Sequence, residues 1–281
     1  MMKTILLPTD FSKNSMNAID YVVELFKDVE CHFYILNVQK ASSFISDDML
    51  VVSSSATIYN TIIDAAKKSI ANIISILEQE NNNSKHHFYS VVDYDNFIDS
   101  INQICDKHAV DLIVMGTKGA SGLDKVIFGS NTVRVIQRCD APVLAIPDGC
   151  EFVPIDKMAF STNHFTLFEE EKLIPLKSLI SLNNSKLTIL HIADENHLAQ
   201  KQEQNNAFFK TNYSDASHEY IDATSKEMFT VIKNYLSNNN IKMLAMISEK
   251  HSFLERLFTR HIVETFAFSI NVPFLVMHGL K

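Results

Sequence analysis

Glycine is scarce in this chain. There are six glycines among 281 residues, with six prolines, four cysteines and no tryptophan. Cys31, Cys105, Cys139 and Cys150 are scattered, and no two form a Cys-x-x-Cys pair. That spacing speaks against a disulfide framework or a zinc site and reads as small buried hydrophobes in a reducing compartment. No apolar run reaches the ~18–20 residues that a membrane-spanning helix needs. The opening Met1-Met2-Lys3-Thr4-Ile5-Leu6-Leu7-Pro8 has too short an apolar run for a secretory signal, and Asp10 follows at once. A basic surplus is missing as well: the formal net charge is −8, which argues against broad nucleic-acid binding. The expectation is a cytoplasmic protein with neither a nucleic-acid nor a membrane partner.

What is present is an ordinary globular composition, 46% hydrophobic and 21% charged, enough for one large or two small cores. Short apolar runs alternate with helical periodicity. Thr4–Leu7 reads as a buried strand closed by Pro8-Thr9-Asp10, and residues 14–27 as a helix that Ser12 or Asn14 caps. Strands follow at 32–38, 86–92, 111–115 and 142–147, and helices at about 56–80, 96–108 and 130–138. Strands this uniformly apolar, separated by helices, predict an α/β fold with a parallel sheet covered on both faces. In such sheets ligands sit beyond the carboxyl ends of the strands, where the loops after the first, second and fourth strands carry Asp10, Val38 and Gly116.

The second half repeats this plan. Residues 87–147 align with 218–278 without a gap at an offset of 131, matching Met115 to Met246, Pro142 to Pro273 and Leu144 to Leu275, and also His87 to His218 and Tyr89 to Tyr220. Earlier, Thr9-Asp10 matches Thr162-Asn163 and Ile35-Leu36-Asn37-Val38 matches Ile189-Leu190-His191-Ile192. A tandem duplication accounts for this, with domains at 1–148 and 156–281.

Four of the six glycines fall within fourteen positions, as Gly116-x-x-Gly119-x(9)-Gly129-Ser130 with Gly122 between. The segment follows a strand and ends at a helix start. Phosphate binding wants that arrangement: close approach to bare backbone, exposed N–H groups and the positive end of a helix dipole. Ser130 reads as a hydroxyl donor and as the cap of the following helix, and Lys118 and Lys125 as added positive charge. The alternative is a tight turn and a close helix contact. Neither the dinucleotide-binding Gly-x-Gly-x-x-Gly nor the P-loop Gly-Lys-Ser is present.

With Pro8-Thr9-Asp10-Phe11-Ser12, Leu36-Asn37-Val38 and Pro142-Val143-Leu144, this motif resembles the ATP-binding branch of the universal stress protein family, in a tandem two-domain form. The resemblance covers nearly all of residues 1–147. It implies two tandem adenine-nucleotide α-hydrolase-like, Rossmann-like domains, each a five-stranded parallel sheet with helices on both faces, related by a pseudo-twofold axis. It also implies a site for ATP or ADP, with Mg²⁺ or another divalent cation accompanying the phosphates. Pro8, Thr9, Asp10 and the backbone of Val38 would meet the nucleoside end. Met115 and Gly116 would line the ribose, and Lys118, Gly119, Gly129, Ser130 and Asn131 would hold the phosphates. Taken by itself, Asp10 reads either as this contact or as a helix cap. Related single-domain proteins pair as dimers, so the two halves are expected to pack as such a pair through Pro142–Pro147 and Pro273–His278, in a pseudo-dimeric monomer or a homodimer.

The second half departs from the pattern. Ile247, Lys250, Arg260 and His261 stand where Gly116, Gly119, Gly129 and Ser130 stand in the first, and Asn163 replaces Asp10. Branched and long side chains occupy positions that need bare backbone, so a single site in the first half is expected. No catalytic constellation stands out: His86-His87 lies on a strand where neighbouring side chains face opposite ways, and no Gly-x-Ser-x-Gly elbow occurs. The reading is a nucleotide-dependent stress regulator and not an enzyme. An ATP-independent interaction protein and a slow ATP phosphohydrolase remain as alternatives.

Overall fold

The structure is a computed structural model that describes residues 2–39, 55–94, 96–117, 129–162, 164, 167–193, 199–223, 227–248 and 271–278. The first half runs β1 (Thr4–Pro8), α1 (Lys13–Leu25), β2 (Cys31–Val38), α2 (Ser55–Asn81), β3 (His86–Asp93), α3 (Phe97–His108), β4 (Leu112–Gly116), α4 (Ser130–Arg138) and β5 (Val143–Ile146). The second runs β6 (Lys157–Thr162), α5 (Ile174–Asn183), β7 (Lys186–Ala193), α6 (Ala199–Asn212), β8 (Ser217–Asp222), α7 (Met228–Asn238), β9 (Met243–Ser248) and β10 (Phe274–His278). These boundaries follow the periodicity of the sequence to within a residue or two in the first half.

All ten strands form one sheet in the order β3-β2-β1-β4-β5-β10-β9-β6-β7-β8. The order reads the same from either edge once the second half is renumbered. Every neighbouring pair is parallel except the central one, where β5 and β10 pair antiparallel through Val143↔Val276, Leu144↔Leu275 and Ala145↔Phe274. The expected contact between the halves is therefore a sheet joint. Two apolar layers run across it. One packs Ile19 and Val22 of α1, Ile70 of α2, Leu176 of α5 and Phe209 of α6 on one face. The other packs Ile101 of α3, Ile136 of α4 and Ile232 of α7 on the opposite face. Among the described residues no helix is long and apolar enough to cross a membrane.

Strand registers confirm the offset of 131 for β9 and β10: Ile5↔Leu112 and Ile113↔Val143 become Met158↔Met243 and Leu244↔Phe274. They correct it for β8. Asn37 pairs with Val92, whereas its counterpart His191 pairs with Tyr220, not with Ala223 as the gapless alignment requires. Three extra residues therefore lie between β8 and α7, and the matches of His87 to His218 and Tyr89 to Tyr220 are not structural equivalences.

The shortage of glycine has a structural counterpart at chain reversals. Asn82, Ala109, Asn184 and Asn240 take positive φ, from 40° to 55°. Asparagine tolerates the left-handed region through local hydrogen bonds, and alanine does not. Ala109, with φ 48°, closes α3. Ala109→Gly should therefore raise stability by about 0.5–1 kcal/mol, relief of strain outweighing the added freedom of the unfolded chain. Chemical denaturation would show it as a higher midpoint with unchanged slope. At the sheet joint, Leu144 and Leu275 are both fully buried, and Leu275→Ala should cost roughly 2–5 kcal/mol by the same measurement.

Candidate functional site

The carboxyl ends of the first-half strands converge where the chain order reverses. β1 sits between β2 and β4, so the loop leaving β1 and the loop leaving β4 part in opposite directions and leave a crevice between them. Pro8, Thr9 and Asp10 lie on one lip, Met115 and Gly116 on the other, Val38 at the neighbouring end of β2, and Gly129, Ser130 and Asn131 at the start of α4. Nine of the eleven expected residues thus share one edge. Lys118 and Gly119 lie outside the described residues, as does Lys125.

A polar network builds the first lip. Thr9 N–H donates to Leu36 C=O at 2.8 Å, which carries the β1–β2 ladder one residue past the strand. Buried Asn37 donates through Nδ2 to Thr9 C=O at 2.8 Å. The Thr9 hydroxyl accepts from Phe11 N–H at 3.0 Å and pairs with Ser15 Oγ at 2.9 Å. This turn holds Phe11 at φ 62°, a strained value for an aromatic residue. Asp10 is exposed, and its Oδ1 accepts from both Ser12 N–H (3.1 Å) and Ser12 Oγ (2.5 Å). Ser12 in turn caps α1, its Oγ accepting from Ser15 N–H at 3.3 Å. Asp10 therefore braces the helix cap. A lone amide inside an apolar strand, as at Asn37, signals a fixed buried partner.

Close contact dictates the second lip. A Cβ placed on Gly116 would lie 2.8 Å from the backbone oxygen of Asn14, in the first turn of α1. Any side chain there must push α1 and β4 apart. The Gly116 carbonyl accepts from the buried hydroxyl of Thr132 at 2.9 Å, and Gly129 N–H donates to Thr117 C=O, so the two ends of the glycine segment are pinned together. Gly129 has φ −61°, a value open to any residue, and it is Gly129 that occupies the N-cap of α4. Ser130 is the first helical residue and is exposed, which corrects the expectation that Ser130 caps the helix. Glycine as cap brings no side chain of its own to the first N–H groups of α4. A helix start of this kind presents backbone donors and the positive end of a dipole to an anion.

Cys31 and Cys139 are buried as expected, while Cys105 and Cys150 are half-buried. Burial pushes the thiols of Cys31, Cys105 and Cys139 up to about 12, and all four cysteines are unpaired. The His86 ring is buried, with Nε2 3.1 Å from Phe26 C=O, while His87 is exposed beside His32. The two face opposite sides of the sheet.

The sequence model of the universal stress protein family matches residues 1–147. The chain belongs to the universal stress protein family. Two curated members from Methanocaldococcus jannaschii align with the same half. Universal stress protein MJ0531 is 25% identical over 146 residues, covering 52% of this chain and 82% of the relative. Universal stress protein MJ0577 is 26% identical over 159, covering 52% and 95%. A crystal structure of a universal stress protein from Archaeoglobus fulgidus superposes over 97% of this chain and 95% of its own, with a TM-score of 0.69 at 17% identity. That likeness extends the family's fold to both halves.

Two substitutions test the lips. Gly116→Ile, the residue of the second half, should cost roughly 1–3 kcal/mol through overpacking against Asn14. Ser12→Ala should cost about 1 kcal/mol through loss of the α1 cap. Thermal denaturation of each variant beside the parent checks both.

Proposed function

We propose that the first-half crevice binds ATP or ADP and that the protein acts as a nucleotide-dependent regulator in the stress response. The observation that carries this reading is the pairing of a glycine-capped helix start at α4 with bare backbone at Gly116, across from the Thr9–Ser12 turn. The α4 N–H groups and Ser130 would take the phosphates, Gly116 and Met115 would flank the ribose, and Asp10 and the Val38 backbone would meet the nucleoside. Among the described residues no group of three or more His, Cys, Asp or Glu side chains is placed to hold a metal. The role proposed is binding and not turnover.

The second half is read as lacking this site. Ile247 is buried where Gly116 stands, packed in the same layer as Phe168 and Leu173. The connection between first strand and first helix is also longer there. α1 begins at Lys13 after β1 ends at Pro8, whereas α5 begins at Ile174 after β6 ends at Thr162.

The test is direct. The purified protein is denatured, any released nucleotide is identified by mass spectrometry, and the nucleotide-free protein is titrated with ATP in a calorimeter. One adenine nucleotide per chain is expected, with binding lost in Gly129→Arg while the fold persists by circular dichroism. Two per chain would overturn the single-site reading. Failure to bind at millimolar ATP would leave an ATP-independent interaction protein as the better account.

A further inference from the structure

Three histidines of the second half form a continuous line beneath α6. His164 Nε2 lies 2.8 Å from His191 Nδ1, and His191 Nε2 lies 2.8 Å from His218 Nδ1. The ring planes are nearly parallel, inclined by 9° and 13°, with centroids 4.9 and 5.1 Å apart. Each centroid separation exceeds its N···N distance by about the width of one imidazole ring. The rings therefore meet edge to edge, nitrogen to nitrogen, and are not stacked face on face. His164 is fully buried, His191 nearly so, and His218 half-exposed at the outer strand β8. The line runs from the carboxyl end of β6 across β7 to the sheet edge.

The direction of its hydrogen bonds follows from the inner end. Phe168 N–H can only donate, and it reaches Asn205 Oδ1 at 3.1 Å. The Asn205 amide nitrogen, 3.3 Å from His164 Nδ1, is then the donor of that pair. His164 carries its proton on Nε2 and gives it to His191 Nδ1, and His191 carries its own on Nε2 and gives it to His218 Nδ1. Every imidazole is neutral and points its N–H outward. A proton added to any ring sets N–H against N–H at a junction. Shifting the whole line inward moves the conflict to the Asn205 amide.

We propose that this histidine line is a proton sensor: it ties β6, β7, β8 and α6 together while all three rings are neutral, and uptake of one proton releases α6 from the second half. The surroundings favour the neutral line. The Tyr220 phenol of β8 lies against the His191 ring, Phe209 of α6 packs on both His191 and His218, and the Thr162 hydroxyl accepts from His164 N–H. The charged group on α6 that acts on the line is Lys210, a cation. Burial first, and then His218, holds His191 down at about 4, and burial and then Lys210 lower His218. The sign follows. An unfolded histidine takes up its proton from its ordinary value of 6.5 downward, whereas His191 in the folded line does so only near 4. The stability this provides is complete above that ordinary value and is lost as pH falls from it toward about 4.

The experiment uses the full chain labelled with ¹⁵N. At about pH 7.5, ring spectra should show His164, His191 and His218 all as the Nε2–H tautomer. Hydrogen exchange, corrected for its intrinsic pH dependence, should show protection of residues 199–212 falling roughly ten- to thirtyfold between about pH 7.5 and pH 5. The double variant His164→Phe with His191→Asn installs the first-half residues Phe11 and Asn37, and in it this pH dependence should disappear. Buried His86 and half-buried His278 are titratable rings in both proteins, so the difference between the two isolates the line. Mixed tautomers, rings that titrate independently near their ordinary value, or equal α6 protection at both pH values would overturn the proposal. If the double variant does not fold, the tautomers and exchange of the parent decide it.

Discussion

The antiparallel pairing of β5 with β10 governs the rest of the molecule. A five-stranded parallel half-sheet ends in an open edge at its fifth strand, a row of unpaired backbone groups that burial would leave costly. Joining the two fifth strands satisfies both edges and fuses the apolar layers across the joint. Because the joint is antiparallel, the carboxyl ends of the first-half strands face one way and those of the second half the other. The two crevices lie at opposite edges of one sheet. A link across the joint is provided by His278 of β10, whose Nε2 lies 2.6 Å from Ile136 C=O in α4, the helix whose start faces the first crevice.

Within each half the controlling contact is how closely the first helix approaches the end of the fourth strand. Gly116 lets α1 start hard against β4, which keeps the turn after β1 short and its donors at the lip. Ile247 stands at the same place in the second half, where a longer connection precedes α5. Gly116 thus sets how closely α1 approaches β4. This is a stronger constraint than any effect of Gly129, whose backbone any residue could adopt.

Much of this was legible in the sequence because it rests on periodicity. Apolar strands and amphipathic helices identified nearly every element of the first half, and the clustering of glycine marked the crevice. Three things escaped. The three-residue slip at β8 did not show because chance identities at His218 and Tyr220 supported the gapless alignment. The cap of α4 was assigned to Ser130 because a serine beside a glycine is the better capping residue by preference, whereas the structure starts the helix one residue earlier. The fastening roles of buried Thr9, Asn37 and Thr132 do not show in the sequence, although Thr9 and Asn37 lie within the motifs that carry the family resemblance. Their roles depend on which carbonyl the fold brings within 3 Å, as with Asn37 and Thr9 C=O at 2.8 Å.

The two halves keep one device and change its chemistry. After the first strand of each, a threonine hydroxyl accepts the N–H of a residue two positions on, at 3.0 Å in both, and that residue takes a left-handed conformation: Phe11 at φ 62° and His164 at φ 57°. Something on the second strand must then hold the turn. In the first half this is Asn37, an amide without a titratable proton, so the lip stays fastened across the physiological pH range. In the second half it is His191, and the strained residue is itself a histidine. Exchanging asparagine for histidine keeps a hydrogen bond to the turn but makes it conditional on charge. Bare backbone is lost at Ile247 and a titratable fastener is gained at His191, so the second crevice differs from the first both in the room beside its fourth strand and in a hydrogen bond that a proton can break.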